Sequence, residues 1–166
     1  MDLDLTQTIA AARSAVEAAL VDPDFVATTR SLPRVADCRI VSAERDGEVW
    51  RYSIHRRFAA DLPAVARAVV DPARLTWVEH VEYDLAAHRG RHRIVPDHYA
   101  DRLAASYTSD LAETDGATTR SLTGTLTVHA ALVAGRVERA ILSGLEEYAG
   151  AEAELLARWC AGDRPA

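Results

Sequence analysis

A chain of 166 residues with 49% apolar composition is the size of one ordinary domain and can bury a core of its own. Its 19 basic against 25 acidic residues give a net charge of −6, and no basic run exceeds Arg56-Arg57, so nucleic acid, which needs a positive face, is not the expected partner. Every basic residue is arginine and asparagine is absent, which removes Schiff-base lysine chemistry and N-glycosylation.

Cys38 and Cys160 lack metal-ligand spacing and read as free thiols in a reducing compartment. The acidic start Met1-Asp2-Leu3-Asp4, with no apolar run long enough to span a bilayer, predicts a cytoplasmic protein without a membrane segment.

In chain order, Leu3 and Leu5 alternate with Asp4, Thr6 and Thr8, predicting a short first strand over residues 3–9. Val16, Ala19 and Leu20 within the alanine-rich stretch 11–20 predict a helix, which Asp22-Pro23 breaks before a second short helix from Asp24 to about Arg30. From Ala36 the period becomes two. Cys38, Ile40 and Ser42 share one side, and Asp46-Gly47 supplies a hairpin turn. On the return strand, from Glu48 to about Phe58, Trp50, Tyr52 and Ile54 oppose Arg51, Ser53 and His55.

Asp61-Leu62-Pro63 predicts a helix running to Val70 and ended by Asp71-Pro72. A strand from Leu75 to Asp84 sets Leu75, Trp77, Glu79, Val81 and Tyr83 on one side. In the next strand Arg89, Arg91 and Arg93 mark the solvent side, opposite His92 and Ile94. After the irregular segment 96–101, Leu103, Ala105, Tyr107, Ser109 and Leu111 alternate with polar residues. Asp115-Gly116 then turns the chain into a strand from Thr118 to Val128, where Leu122, Gly124 and Leu126 share a side.

Leu132 to Cys160 is the longest element. Val133, Val137, Ile141, Leu145, Tyr148, Leu155 and Trp159, with Gly144 and Ala151, recur in steps of three and four, an amphipathic helix of roughly 40 Å. The summed expectation is an α+β domain: a first strand, two short helices, about six more antiparallel strands, and a terminal helix covering the apolar face of the sheet.

That order resembles the helix-grip fold of the START-like superfamily (SRPBCC), which includes polyketide cyclases and dehydratases, plant pollen allergens and lipid-transfer domains. Asp61-Leu62-Pro63, the strand around Trp77, and Gly135-Arg136-Val137-Glu138 with Ile141 also resemble one bacterial family within it, domain of unknown function 2505. The resemblance spans the whole chain, 1–166, as one START-like domain. It implies a hydrophobic cavity between sheet and helix, and it supplies no catalytic motif, since site residues vary across the superfamily.

Within such a cavity the expected lining is Trp50, Tyr52, Ile54, Trp77, Glu79, Tyr107, Leu126, Ile141, Gly144 and Tyr148. The hydroxyls of Tyr52, Tyr107 and Tyr148 would orient a polar group of a ligand. An interior glycine costs a helix about 1 kcal/mol relative to alanine. Gly144 therefore marks either a void for a ligand or a close approach of helix to sheet. Glu79 shares the side of Trp77 and Val81, where an unpaired carboxylate is costly. It is read either as a general acid or base, with His92 and Tyr107 as companions, or as a structural carboxylate set in water by a bulge or paired with Arg102 or another arginine.

The six histidines, of which only His88 and His92 are near neighbours, lack a third convergent metal ligand. There is no phosphate-binding glycine loop, nucleophile elbow or HExxH sequence, so neither a metal nor a cofactor is expected. The leading expectation is binding or carriage of a hydrophobic or amphipathic small molecule: a lipid, isoprenoid, polyketide-like or aromatic compound. The alternatives are a cyclase, dehydratase or hydrolase working in the same cavity, and a protein-interaction module with no ligand. The sequence sets no oligomeric state. The 63–70 helix and the irregular 96–101 segment are the candidate lids.

Overall fold

The computed structural model describes residues 1–59, 67, 71–129 and 134–164. Strand β1 (Asp2–Ile9) is followed by helices α1 (Arg13–Leu20) and α2 (Pro23–Thr28), then by β2 (Arg34–Asp46), β3 (Val49–Ala59), β4 (Thr76–Asp84), β5 (Arg89–Pro96), β6 (Leu103–Thr114), β7 (Ala117–Val128) and the long helix α3 (Ala134–Cys160). This is the expected order. The helix expected over 61–70, and Leu132 and Val133, lie outside the described residues, apart from Arg67.

All seven strands form one antiparallel sheet in the order β1-β7-β6-β5-β4-β3-β2. Local chemistry explains the corners. Asp22 caps α2 by accepting a hydrogen bond from the Asp24 amide at 2.9 Å, and Pro23 takes the first helical position, where its missing N–H is not needed. Asp115 and Gly116 both have positive φ, 54° and 76°, as a two-residue hairpin of matching twist requires.

Of the six strand pairings among the described residues, only that of β2 with β3 shifts register. The shifts fall between Val35 and Asp37 and again between Ile40 and Ser42. Each bulge adds a residue and reverses the face of everything beyond it. Ser42, expected beside Cys38 and Ile40, is thereby turned to the outer face opposite Ser53, and is exposed.

Helix α3 lies across the inner face. Its carboxy-terminal half is gripped from two sides, by the sheet and by α1 and α2. Ile9, Val16, Phe25, Leu156 and Trp159 meet there, with Phe25 set edge-on to Trp159 at 5.5 Å. Two-sided cover widens the buried arc beyond a single stripe, so Ala149, Ala153 and Leu156 join Val137, Leu155 and Trp159 inside. The amino-terminal half is covered less, and Ile141, expected within the stripe, is 36% exposed. Among the described residues no helix is long and apolar enough to cross a membrane.

Candidate binding cavity and its polar centre

Strand register places the site. Tyr52, Val81, His92, Tyr107 and Gly124 stand opposite one another on β3 to β7, and side chains two residues along on the same strands share the inner face. Glu79 on β4 and Arg56 on β3 are brought to neighbouring inward positions this way, facing the middle of α3. Between them and the helix lies a cavity of about 40 Å³. Its apolar wall includes Tyr52, Ile54, Val81, Leu122 and Leu145, and its polar wall Arg56, Glu79, His92, Arg120 and Glu152.

Glu79 is the hub. One carboxylate oxygen accepts hydrogen bonds from Tyr107 Oη at 2.8 Å and His92 Nδ1 at 3.0 Å, and the other accepts from Arg56 Nε at 2.9 Å. Burial alone would raise its pKa, but the Arg56 charge together with the His92 and Tyr107 hydrogen bonds prevails and holds the carboxyl well below the usual carboxylate range. Arg56 also donates to Thr29 Oγ1 at 3.0 Å and lies over the Tyr148 ring, 5.6 Å from its centroid. Burial works against its charge, and the surrounding negative and phenolic groups outweigh it.

His92 is fixed on every side. It stacks on Tyr107 with ring centroids 4.2 Å apart, meets Tyr83 edge-on at 5.7 Å, and sets Nε2 3.2 Å from Ser109 Oγ. A carboxylate only accepts, so Nδ1 carries the proton toward Glu79, and in that tautomer Nε2 is the ring atom that can accept from Ser109.

A second ion pair, with its arginine buried and its glutamate half-buried, sits beside the first. Arg120 Nη1 donates to Glu152 at 2.7 Å, its Nε donates to Gln7 at 2.8 Å, and Tyr148 Oη donates to the other Glu152 oxygen at 3.2 Å. Burial lowers the Arg120 pKa, and Glu152 more than restores it. Burial likewise pushes the Tyr107 and Tyr148 hydroxyls well above the ordinary phenol range, so both remain donors.

Of the expected lining residues, Tyr52, Ile54, Glu79, Tyr107 and Tyr148 border the cavity. Trp50 does not. It stacks on Tyr52 at 6.2 Å, half-buried, with Arg45 over its outer ring. Trp77 and Leu126 lie farther along the sheet, the first half-buried and the second buried. Ile141 is on the less covered half of α3. A Cβ at Gly144 would touch only Arg34 Cγ, at 3.7 Å, so this glycine marks neither a void nor a close helix–sheet approach. Gly124 leaves no gap either: a Cβ there would overlap the Ser106 carbonyl and Tyr107, because Tyr107 already occupies the space.

The expected hydroxyl donors are spent within the protein: Tyr52 donates to the Val21 carbonyl, Tyr107 to Glu79 and Tyr148 to Glu152. Glu79 finds an arginine partner, and it is Arg56 rather than Arg102, which lies beside Asp101 and Tyr99. Arg56, Arg120, Glu152 and Ser109 were not among the sequence candidates. The signal for the two arginines was present: each continues an inward alternation by two residues, Arg56 after Tyr52 and Ile54, and Arg120 before Leu122 and Gly124. Among the described residues no three His, Cys, Asp or Glu side chains converge where they would hold a metal ion.

A seven-stranded antiparallel sheet closed by a long terminal helix, with two short helices after the first strand, is the helix-grip fold. Residues 4–160 match the family model described as protein of unknown function (DUF2505), and the chain belongs to that family. No curated protein matches. Among solved structures the chain is similar to the Zhui aromatase/cyclase from Streptomyces sp. R1128, at 18% identity and a TM-score of 0.68 over 100% of this chain and 96% of that one. It is similar to norcoclaurine synthase from Thalictrum flavum in complex with dopamine and hydroxybenzaldehyde, at 13% identity and a TM-score of 0.68 over 100% and 89%. A START superfamily protein from Mycobacterium smegmatis matches at 14% identity and a TM-score of 0.60 over 97% of each chain. At these identities the likeness is one of fold.

Proposed function

We propose that the chain binds a small amphipathic molecule between its sheet and α3, with the apolar body of the ligand against Tyr52, Ile54, Val81, Leu122 and Leu145, and its polar end toward Arg56, Tyr83 and Glu152. The observation that carries this reading is the enclosed space itself, apolar along one wall and ionic along the other. Pockets for small molecules combine these two features, with few polar groups fixing orientation. The driving force is burial, about 25 cal/mol per Å² of apolar area before ordering costs are subtracted.

At about 40 Å³ the cavity has room for a few waters, far below the several hundred Å³ that a drug-sized ligand fills. Binding a larger molecule requires α3 to move away from β3–β5. The packing favours that direction, since α3 rests chiefly on β1, β7 and α1. The polar end of the site makes an amphipathic ligand a better fit than a wholly apolar lipid.

A cyclase or dehydratase using Glu79 itself as the proton-transferring group fits less well. A carboxylate held so far toward its ionised form, and fully hydrogen-bonded, is a weak base. It is better suited to holding His92 in place.

Native mass spectrometry of freshly purified protein tests the binding reading. The expected result is an amphipathic mass that disappears on denaturation. Absence of any adduct, together with failure to take up a fluorescent fatty acid or a hydroxylated aromatic probe, overturns it.

A further inference from the structure

Three side chains on adjacent strands stand in the order of an acyl-transfer relay. Ser109 Oγ on β6 lies 3.2 Å from His92 Nε2 on β5, and His92 Nδ1 lies 3.0 Å from Glu79 Oε1 on β4. A nucleophile, a base and a group that fixes the tautomer of that base are recognised by such geometry and roles, whatever the fold and chain order. All three are buried, and all three border the same cavity.

Three further observations concern the same point. The carboxylate end is immobilised by Arg56 and Tyr107, and the imidazole plane by its stack on Tyr107, so Nε2 is held toward Ser109. On β5, Gly90 clears the place where the relay meets the cavity: a Cβ there would overlap Ser109 Oγ and come within 2.9 Å of Tyr83 Cε1 and 3.0 Å of His92 Nε2. Any other residue at 90 would displace the Ser109–His92 contact. Tyr83 lines the same cavity, with Cε1 of its ring beside the point where Ser109 Oγ and His92 Nε2 meet, and its hydroxyl is the donor the proposal assigns to a developing oxyanion.

We infer that Ser109 is a nucleophile, that His92 is its base, and that Glu79 is the positioning residue, so that the cavity accepts the acyl group of a small ester. This goes beyond ligand binding and rests on the same cavity being reachable. Ser109 Oγ attacks the ester carbonyl carbon, its proton passes to His92 Nε2, and the carbonyl electron pair moves onto oxygen beside the Tyr83 hydroxyl. Collapse breaks the carbon–alkoxy bond, and His92 returns the proton to the departing alcohol. A water then attacks the acyl-serine with His92 taking its proton, the Oγ–acyl bond breaks, and Ser109 recovers its proton. The sum is ester and water giving acid and alcohol. A cavity of about 40 Å³ displaces a few waters, which matches an acyl group of two or three carbons rather than a fatty chain.

The test is incubation of the full chain with p-nitrophenyl acetate, following p-nitrophenolate release and mapping any acetyl adduct by peptide mass spectrometry. The expected result is one acetyl group on Ser109. In Ser109→Ala, release falls by about a hundredfold, the scale of positioned base catalysis. Ser109→Cys should still be acylated at residue 109, which guards against a folding defect in the alanine variant. Ser106→Ala, on the opposite face of β6, should react as the parent does. Release unchanged in Ser109→Ala, or acetyl found elsewhere and not on residue 109, overturns the proposal. Ligand retention by Ser109→Ala in native mass spectrometry is read separately: retention without acylation removes the relay and leaves the binding function standing.

Discussion

The Arg56–Glu79 pair offers the sharpest test of what holds the interior together. Its atoms are 2.9 Å apart, with side chains only 7% and 9% exposed, so the discount that applies to surface ion pairs does not apply here. At an effective dielectric near 20, opposite charges about 4 Å apart attract by about 4 kcal/mol, and the cost of taking both from water offsets much of that. The consequence is asymmetric. Glu79→Gln leaves the Arg56 charge buried without its counterion and should cost about 3–5 kcal/mol; Arg56→Met strands the carboxylate and should cost a similar amount. Removing both removes both penalties. The double variant should therefore lie well above the sum of the single changes, with a coupling of about 2–3 kcal/mol.

Urea denaturation followed by tryptophan fluorescence measures all four corners of this cycle. Since total stability is of the order of 5–15 kcal/mol, each single variant should remain measurable. Acid supplies a second axis. The folded pKa of Glu79 lies below its unfolded value near 4.5, so the unfolded state binds the proton first as pH falls. The stabilisation is fully present above about pH 4.5 and is lost as pH drops through the folded value. The stability gap between parent and Glu79→Gln should accordingly narrow below pH 4.5 and stay constant above it. Additive single effects, or a gap that ignores pH across that window, would refute the account of Glu79 as an ionised, mutually dependent partner of Arg56.

Other outcomes follow from the glycines and the core. Gly144→Ala and Gly150→Ala sit in the interior of α3 with ordinary or open surroundings, and each should raise the urea midpoint, by up to about 1 kcal/mol in free energy, without altering ligand uptake. Gly124→Ala should do the reverse, costing about 1–3 kcal/mol or more, because the added methyl meets the Ser106 backbone as well as Tyr107; calorimetry decides the sign. Leu156→Ala, at a fully buried site among Ile9, Val16 and Phe25, should cost about 2–5 kcal/mol and change the environment of Trp159 seen in near-ultraviolet circular dichroism.

The sheet was legible because alternation is a local code. Each of Tyr52, Val81 and Tyr107 announces its face through its immediate neighbours, and the turn at Asp115-Gly116 announces itself through residue type. The chemistry of the cavity was less legible, since arginine in a strand reads as solvent-facing. Arg56 stands beside Arg57, which is exposed, and only the strand parity separates the two. Arg120 and Glu152 each look ordinary alone; they become interior groups only because α3 carries one to the other across 32 residues of sequence. The Ile40–Ser42 bulge and the wide buried arc of α3 are likewise products of packing rather than of local pattern. Glu79 was visible as a problem from its position, and its solution needed three other strands.

The two irregularities of β2 have a bearing on solution behaviour. This strand is a margin of the sheet, with a whole row of backbone donors and acceptors open to any passing extended chain. Its double kink, the charges of Asp37, Arg39, Glu44, Arg45 and Asp46, and its exposed outer run make it a poor template for such docking. Sheet growth from molecule to molecule is thus discouraged along this one of the sheet's two edges.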